Sequence, residues 1–249
     1  MSTPFIPIKL IPMVISDDLN ASVLEIFKQF IANHNLIHRF QTLTNNDFII
    51  AETCFGSGLN FLLTWQLWLQ HAPKNARLYV YSSENQPFSA DDLSKLYQLW
   101  PELTAQTTLL LAHYPSLTPG FHSLTFNNGR INLVLMLGEK QACFQQLLHC
   151  GDAGLEKTLR THYVDAWHLN DSVCANDIDE SDFFKTLALL STLGTTLVTQ
   201  HDSYRAYLEN VGFKLSHNQW VLNELIPFHT PSFMKKTPWH IALPQALTS

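Results

Sequence analysis

Between positions 52 and 84 the chain sets out an acid, a short glycine turn and a second acid: Glu52, Gly56-Ser57-Gly58 and Glu84. Paired glycines let a backbone pass through positive φ and come close to a ligand. The start of a helix behind such a turn offers unpaired N–H groups. Glu84 follows Gly58 by 26 residues, at the end of the next expected strand, where a carboxylate can accept both hydroxyls of a ribose. The third glycine of a GxGxxG fingerprint is missing, since Phe61 stands there, so a dinucleotide pyrophosphate is disfavoured. A nucleoside ligand without phosphate, such as S-adenosylmethionine, suits one glycine turn plus acids better. The plainer alternative is a tight strand-to-helix turn and a solvated strand end.

These residues need a frame. Asp47 to Glu52 reads as a strand, Leu59 to Leu69 as a helix, and Leu78 to Ser82 as a second strand ending at Glu84. Ala90 to Leu99 reads as a helix stopped by Pro101, and residues 101–120 as a small helical insert. Phe121–Phe126 and Ile131–Leu137 flank an Asn-Gly turn that favours a hairpin. Gln141–His149 is expected to be helical, Tyr163–Leu169 a strand, Ser181–Leu193 a helix and Thr195–Thr199 a strand. A helix from Ser203 to Val211 and a closing strand pair, Phe213–Ser216 and Trp220–Leu225, complete the order. Alternating strands and helices with a terminal antiparallel hairpin imply an α/β fold around a mainly parallel sheet. Ligands of such sheets bind at the carboxyl ends of the strands. Glu52 to Gly58, Glu84, Gly138-Glu139 and Asn170-Asp171 all fall there. The expected organisation is an N-terminal extension with a helix at Asp17–Asn33 capped by Ser16 (1–46), the ligand-binding domain (47–226) and a proline-rich tail (227–249).

Composition narrows the function classes. The chain has 249 residues, 14% of them charged, and a net charge of −6 from 15 Lys+Arg against 21 Asp+Glu. That balance argues against a dedicated nucleic-acid-binding module, whose footprint is a basic face. No apolar run approaches the roughly 20 residues that span a bilayer, and the N-terminus lacks a signal-peptide pattern. Cys54, Cys143, Cys150 and Cys174 show no metal-ligand spacing, and none of the twelve histidines falls in an HxH or HExxH pattern. No metal is expected, and reduced thiols in a cytoplasm are the simplest reading.

At Glu52-Thr53-Cys54-Phe55-Gly56-Ser57-Gly58-Leu59-Asn60-Phe61 the sequence resembles the methyltransferase domain of the MnmC family. That family's motif reads E-x-G-F-G-x-G-L-N-F, and only its first glycine is replaced, by Cys54. The resemblance continues through Ser83-Glu84-Asn85-Gln86-Pro87-Phe88, Leu99-Trp100-Pro101-Glu102-Leu103, Tyr114-Pro115, Leu137-Gly138-Glu139 and Val164-Asp165-Ala166-Trp167-His168-Leu169. It implies a class I (Rossmann-like) S-adenosylmethionine-dependent methyltransferase fold. It also implies a cofactor site at Glu52, Phe55, Gly56, Ser57, Gly58, Asn60, Glu84, Gly138 and Glu139. The family completes 5-methylaminomethyl-2-thiouridine at the tRNA wobble position, so the implied substrate is an aminomethyl group on tRNA. Lys236-Thr237-Pro238-Trp239 is similar to the segment leading into the family's flavin-dependent oxidase, a domain this sequence is not expected to carry.

The substrate side departs from the family. Its strand-end motif L-D-G-F-A-P is represented by Leu169-Asn170-Asp171-Ser172-Val173-Cys174, so Asn170 takes the place of the acid–base Asp. Asn170 can accept a hydrogen bond from an amine but cannot take its proton. Asp171 would substitute if the turn were rewound by one residue, and both residues would also suit a simple Asx turn. Residues 165–182 hold Asp165, Asp171, Asp177, Asp179, Glu180 and Asp182 with no Lys or Arg, a charge expected to repel tRNA phosphates at the site's mouth. Cys54 adds a side chain where the family leaves space. Three functions therefore compete. They are methylation of an aminomethyl group on tRNA wobble uridine, methylation of another amine, and a degenerate methyltransferase fold kept as an interaction module.

Overall fold

In a computed structural model, described over residues 27–44, 46–150, 163–169 and 180–224, eight strands form one sheet with helices on both faces. In chain order, the first described element is a π-helical turn at Phe27–Ala32, followed by α1 (Leu36–Gln41) and β1 (Asp47–Glu52). Next come α2 (Leu59–His71), β2 (Arg77–Glu84), α3 (Ala90–Tyr97), a 3₁₀ turn at Pro101–Leu103 and α4 (Thr104–His113). The chain continues through β3 (Gly120–Phe126), β4 (Ile131–Leu137), α5 (Lys140–Cys150), β5 (Val164–Leu169) and α6 (Ser181–Leu189). It closes with β6 (Ser191–Thr199), α7 (Arg205–Asn210), β7 (Phe213–Ser216) and β8 (Gln219–Leu222). The expected helix at Asp17–Asn33 lies mostly outside the described residues, and the proline-rich segment 227–249 wholly outside them.

The strand order is β3-β4-β2-β1-β5-β6-β8-β7. Strands β4, β2, β1, β5 and β6 run parallel, while β3 and β8 are antiparallel to their neighbours. From β1 the chain goes outward to β2 and later returns to β5 on β1's other side. The order therefore reverses between β1 and β5, and the crevice over their carboxyl ends is the ligand position of such sheets.

Burial on both faces explains why β1 reads as a continuous apolar run. Phe48 and Ile50 join a core shared with Phe40, Trp65 and Trp68, whereas Ile49 and Ala51 face Trp167, Phe144 and Phe183 on the other side. The Asn-Gly hairpin between β3 and β4 forms as expected, with Asn127, Asn128 and Gly129 all at positive φ. Phe30, Ile31, Leu36 and Phe40, from the segment expected to be an extension, are buried in the first core. Arg39 ties this segment down: its guanidinium donates to Thr196 Oγ1 (2.9 Å) and to the Asp165 carbonyl (3.1 Å). His34 Nδ1 also meets Thr196 Oγ1, at 2.7 Å.

One boundary departs from expectation. The helix expected to run to Leu193 ends at Leu189, and β6 starts at Ser191. Ser191 Oγ donates to the Leu187 carbonyl and accepts from Trp167 Nε1, which closes the helix and starts the strand in one residue. The register then slips, since Val164 pairs with Ser191 but Ala166 pairs with Thr196. Gly194, at φ 86°, allows this bulge.

Candidate functional site

The loop leaving β1 is fixed by its neighbours on both sides. The Thr53 N–H donates to the His168 carbonyl in β5 (3.2 Å), and the Phe55 N–H to the Ser83 carbonyl in β2 (3.0 Å). Ser83 Oγ donates back to the Thr53 carbonyl. Gly56 and Gly58 take φ of 53° and 74°, both in the left-handed region. Phe55 itself is buried at 4% exposure and packs beside Phe61. The Ser57 carbonyl accepts the Tyr97 hydroxyl at 3.0 Å, so α3 grips the turn from outside.

Glu84 is where the two loops meet. Its Oε2 accepts the Gly56 N–H at 2.8 Å and the Cys54 thiol at 3.3 Å, and its Oε1 accepts the Gln86 N–H at 2.8 Å. Its backbone carbonyl accepts the Gly138 N–H from the end of β4. One residue thus joins the carboxyl ends of β1, β2 and β4. Burial, together with the Glu84 carboxylate, pushes the Cys54 thiol up to about 12, so the sulfur stays protonated at neutral pH. Cys54 is absent from the residues held at positive φ, so its replacement of a family glycine carries no left-handed strain.

Beneath the turn lies a buried polar group. Glu52 is 1% exposed and pairs in register with His168 across β1 and β5. Asn60, from the first turn of α2, places its amide 2.8 Å from His168 Nδ1, and the His168 ring lies 4.5 Å from that of Phe30. Burial raises the Glu52 carboxyl to about 8, against hydrogen bonding from Ser82 and Asn60 and with repulsion from Glu84 adding to the rise. Among the described residues, Glu52 Oε1, Asn60 Oδ1 and Ser82 Oγ are buried without a well-placed partner. Such atoms suit a polar group arriving from a ligand.

Glu139 caps α5: its carboxylate oxygens accept the Gln141 and Ala142 N–H groups at 3.0 and 2.9 Å. Tyr114 was not singled out by residue type. It reaches the site from beyond α4, its hydroxyl donating to the Phe88 carbonyl at 3.1 Å. Burial and the charge on Glu84 raise that phenol to about 12. Its only sequence signal was the Tyr114-Pro115 match to the family.

Asn170 and Asp171, the expected substrate-side residues, lie outside the described residues, as do Asp177 and Asp179. The acidic mouth is corrected at the three acids that are described. Asp165 sits four residues, about 13 Å, back from the end of β5 and accepts the Ile49 N–H at 2.8 Å, so it is structural. Glu180 pairs with Lys140 at 3.0 Å and Asp182 with Lys185 at 2.9 Å. Lys140 also lies over the rings of Phe183 and Tyr204. Its distance of 40 residues from Glu180 hid this counter-charge from the sequence. No group of three His, Cys, Asp or Glu suited to a metal occurs among the described residues. None of the described helices is long and apolar enough to cross a membrane.

No family model matches the chain. Curated relatives do. A protein of Legionella pneumophila (strain Lens), named tRNA 5-methylaminomethyl-2-thiouridine biosynthesis bifunctional protein MnmC, is 42% identical over 98% of this chain and 41% of its own length. The protein of that name from Pseudomonas entomophila is 39% identical over 73% of this chain and 26% of its own. The chain spans about two fifths of the Legionella relative it matches. Among solved structures, MnmC2 from Aquifex aeolicus superposes with a TM-score of 0.55 at 14% identity, over 84% of this chain and 63% of that one. Glu52 and His168 lie at the switch point between β1 and β5, and Glu84 one strand away at the end of β2. By sequence the chain is similar to part of the MnmC proteins over nearly all of its own length, and its fold is of the class I S-adenosylmethionine-dependent methyltransferase type.

Proposed function

We propose that the chain is an S-adenosylmethionine-dependent methyltransferase that N-methylates an aminomethyl group on tRNA wobble uridine. The observation that carries this reading is Glu84, a buried carboxylate at the end of β2 that accepts the Gly56 N–H of the glycine turn, beside the switch point of a chain homologous to MnmC. Gly56, Ser57 and Gly58 let the backbone approach the cofactor, Glu84 takes its ribose, and Gly138 and Glu139 close the far side. Glu52 and Asn60 each keep a buried oxygen without a well-placed partner below the turn, while Phe55 braces Gly58. The cofactor supplies an electrophilic methyl group on a sulfonium. The protein's task is to aim the amine lone pair at that methyl. Asn170, or Asp171 beside it, accepts an amine N–H and holds the nitrogen in line. The Lys140–Glu180 and Lys185–Asp182 pairs reduce the charge that tRNA phosphates would meet.

The test is calorimetric titration with S-adenosylmethionine, followed by transfer of a labelled methyl group to tRNA bearing 5-aminomethyl-2-thiouridine. Saturable binding and label in tRNA are expected. Binding without transfer to tRNA, but with transfer to a small amine, would move the assignment to another substrate. No binding at millimolar cofactor would overturn it altogether.

A further inference from the structure

Glu84 has fewer free acceptor positions than its proposed ligand needs. An ionised carboxylate offers about four lone-pair directions. Three are already used, by the N–H groups of Gly56 and Gln86 and by the Cys54 thiol. A ribose brings two hydroxyl donors. Two of the three existing donors are backbone amides set by the turns, and neither can leave without refolding its loop. The third is a thiol, a weak donor, on a side chain that can turn about χ1. At 3.3 Å it is an ordinary S–H···O contact, and the weakness of the thiol as a donor makes it the contact that yields.

We propose that Cys54 sets the affinity of this site for its ribose-bearing cofactor, by occupying Glu84 Oε2 in the free protein and releasing it when the ribose hydroxyls arrive. The inference rests on the reading of the site given above. The thiol is the right group for such a contact because burial keeps it protonated beside the carboxylate. Glu52, kept protonated at neutral pH by burial, has a buried carboxyl oxygen without a well-placed partner.

The experiment titrates S-adenosylhomocysteine, which carries the same ribose and transfers nothing, into the wild type, Cys54→Ala and Cys54→Ser. Thermal unfolding without ligand checks that each variant folds. Cys54→Ala removes the competing donor and is expected to bind about three- to tenfold tighter. Cys54→Ser supplies a stronger donor and is expected to bind weaker by a similar factor, as one exchanged hydrogen bond allows. If Cys54→Ser fails to fold, the Ala variant decides alone. Unchanged or weaker binding by Cys54→Ala overturns the inference while leaving the cofactor site standing. Absence of binding by all three proteins overturns the site reading and the inference with it.

Discussion

The ring of Phe55 lies across the α-carbon of Gly58, with its Cζ 2.6 Å from where a Cβ on residue 58 would have to stand. Gly58 is thus required twice, by its φ of 74° and by this ring. A Cβ on Gly56 would meet nothing nearer than the Cys54 sulfur at 4.0 Å. Gly58→Ala is expected to lose about 3 kcal/mol of stability, from left-handed strain plus overpacking, and Gly56→Ala about 1 kcal/mol. Urea unfolding measures both. Adding Phe55→Leu to Gly58→Ala should recover the packing part only, and equal losses at the two glycines would contradict the contact.

Glu84→Gln keeps the shape of the side chain but faces one of its donors toward a backbone N–H, of Gly56 or of Gln86. The expected cost is about 1–3 kcal/mol of stability, with cofactor affinity reduced about tenfold or more. Calorimetric titration on the folded variant checks it, and an unchanged Kd would remove Glu84 from the ribose site.

Glu52 makes stability depend on pH. Its carboxyl is raised from 4.5 to about 8, so between these values the folded protein holds a proton that the unfolded chain has released. Stability therefore falls as pH rises across that window, by up to roughly 1.4 kcal/mol per pH unit. Glu52→Gln should flatten this slope in denaturant titrations between pH 5 and pH 8. A slope unchanged by the substitution would place the proton elsewhere.

At the substrate side, Asn170→Asp restores a group that can take the proton lost by the amine. Methyl transfer to the aminomethyl tRNA should rise about tenfold at neutral pH, with little change in cofactor Kd. A variant with unaltered or lower turnover would show that position 170 does not face the amine.

Much of the frame was legible because the local signals agree. The glycine turn, the acid at the end of β2 and the Asn-Gly hairpin each follow from residue types that only certain backbones accept. The start of β6 was not legible, since Leu189, Leu190 and Leu193 continue an apolar helical pattern while the helix is stopped by a Ser191–Trp167 contact from a distant strand. The acidic stretch misled for a related reason. Spacing along the chain does not show that Asp165 turns inward to a backbone amide or that Lys140 returns to Glu180. Cys54 stood out as a missing glycine, but its bond to Glu84 depends on how two loops meet.

The anchoring of α1 has a consequence for synthesis on the ribosome. Arg39 and the Thr196 hydroxyl it holds are 157 residues apart. At about 5–20 residues per second, translation needs roughly 8–30 s to make the stretch between them. Long before then Phe40, fully buried in the finished fold, has Phe48 and Trp68 to pack against, at ring-centroid separations of 5.2 and 4.9 Å. The emerging chain therefore closes the apolar side of α1 early and gains its polar tether only when β6 is made, which orders the two contacts in time.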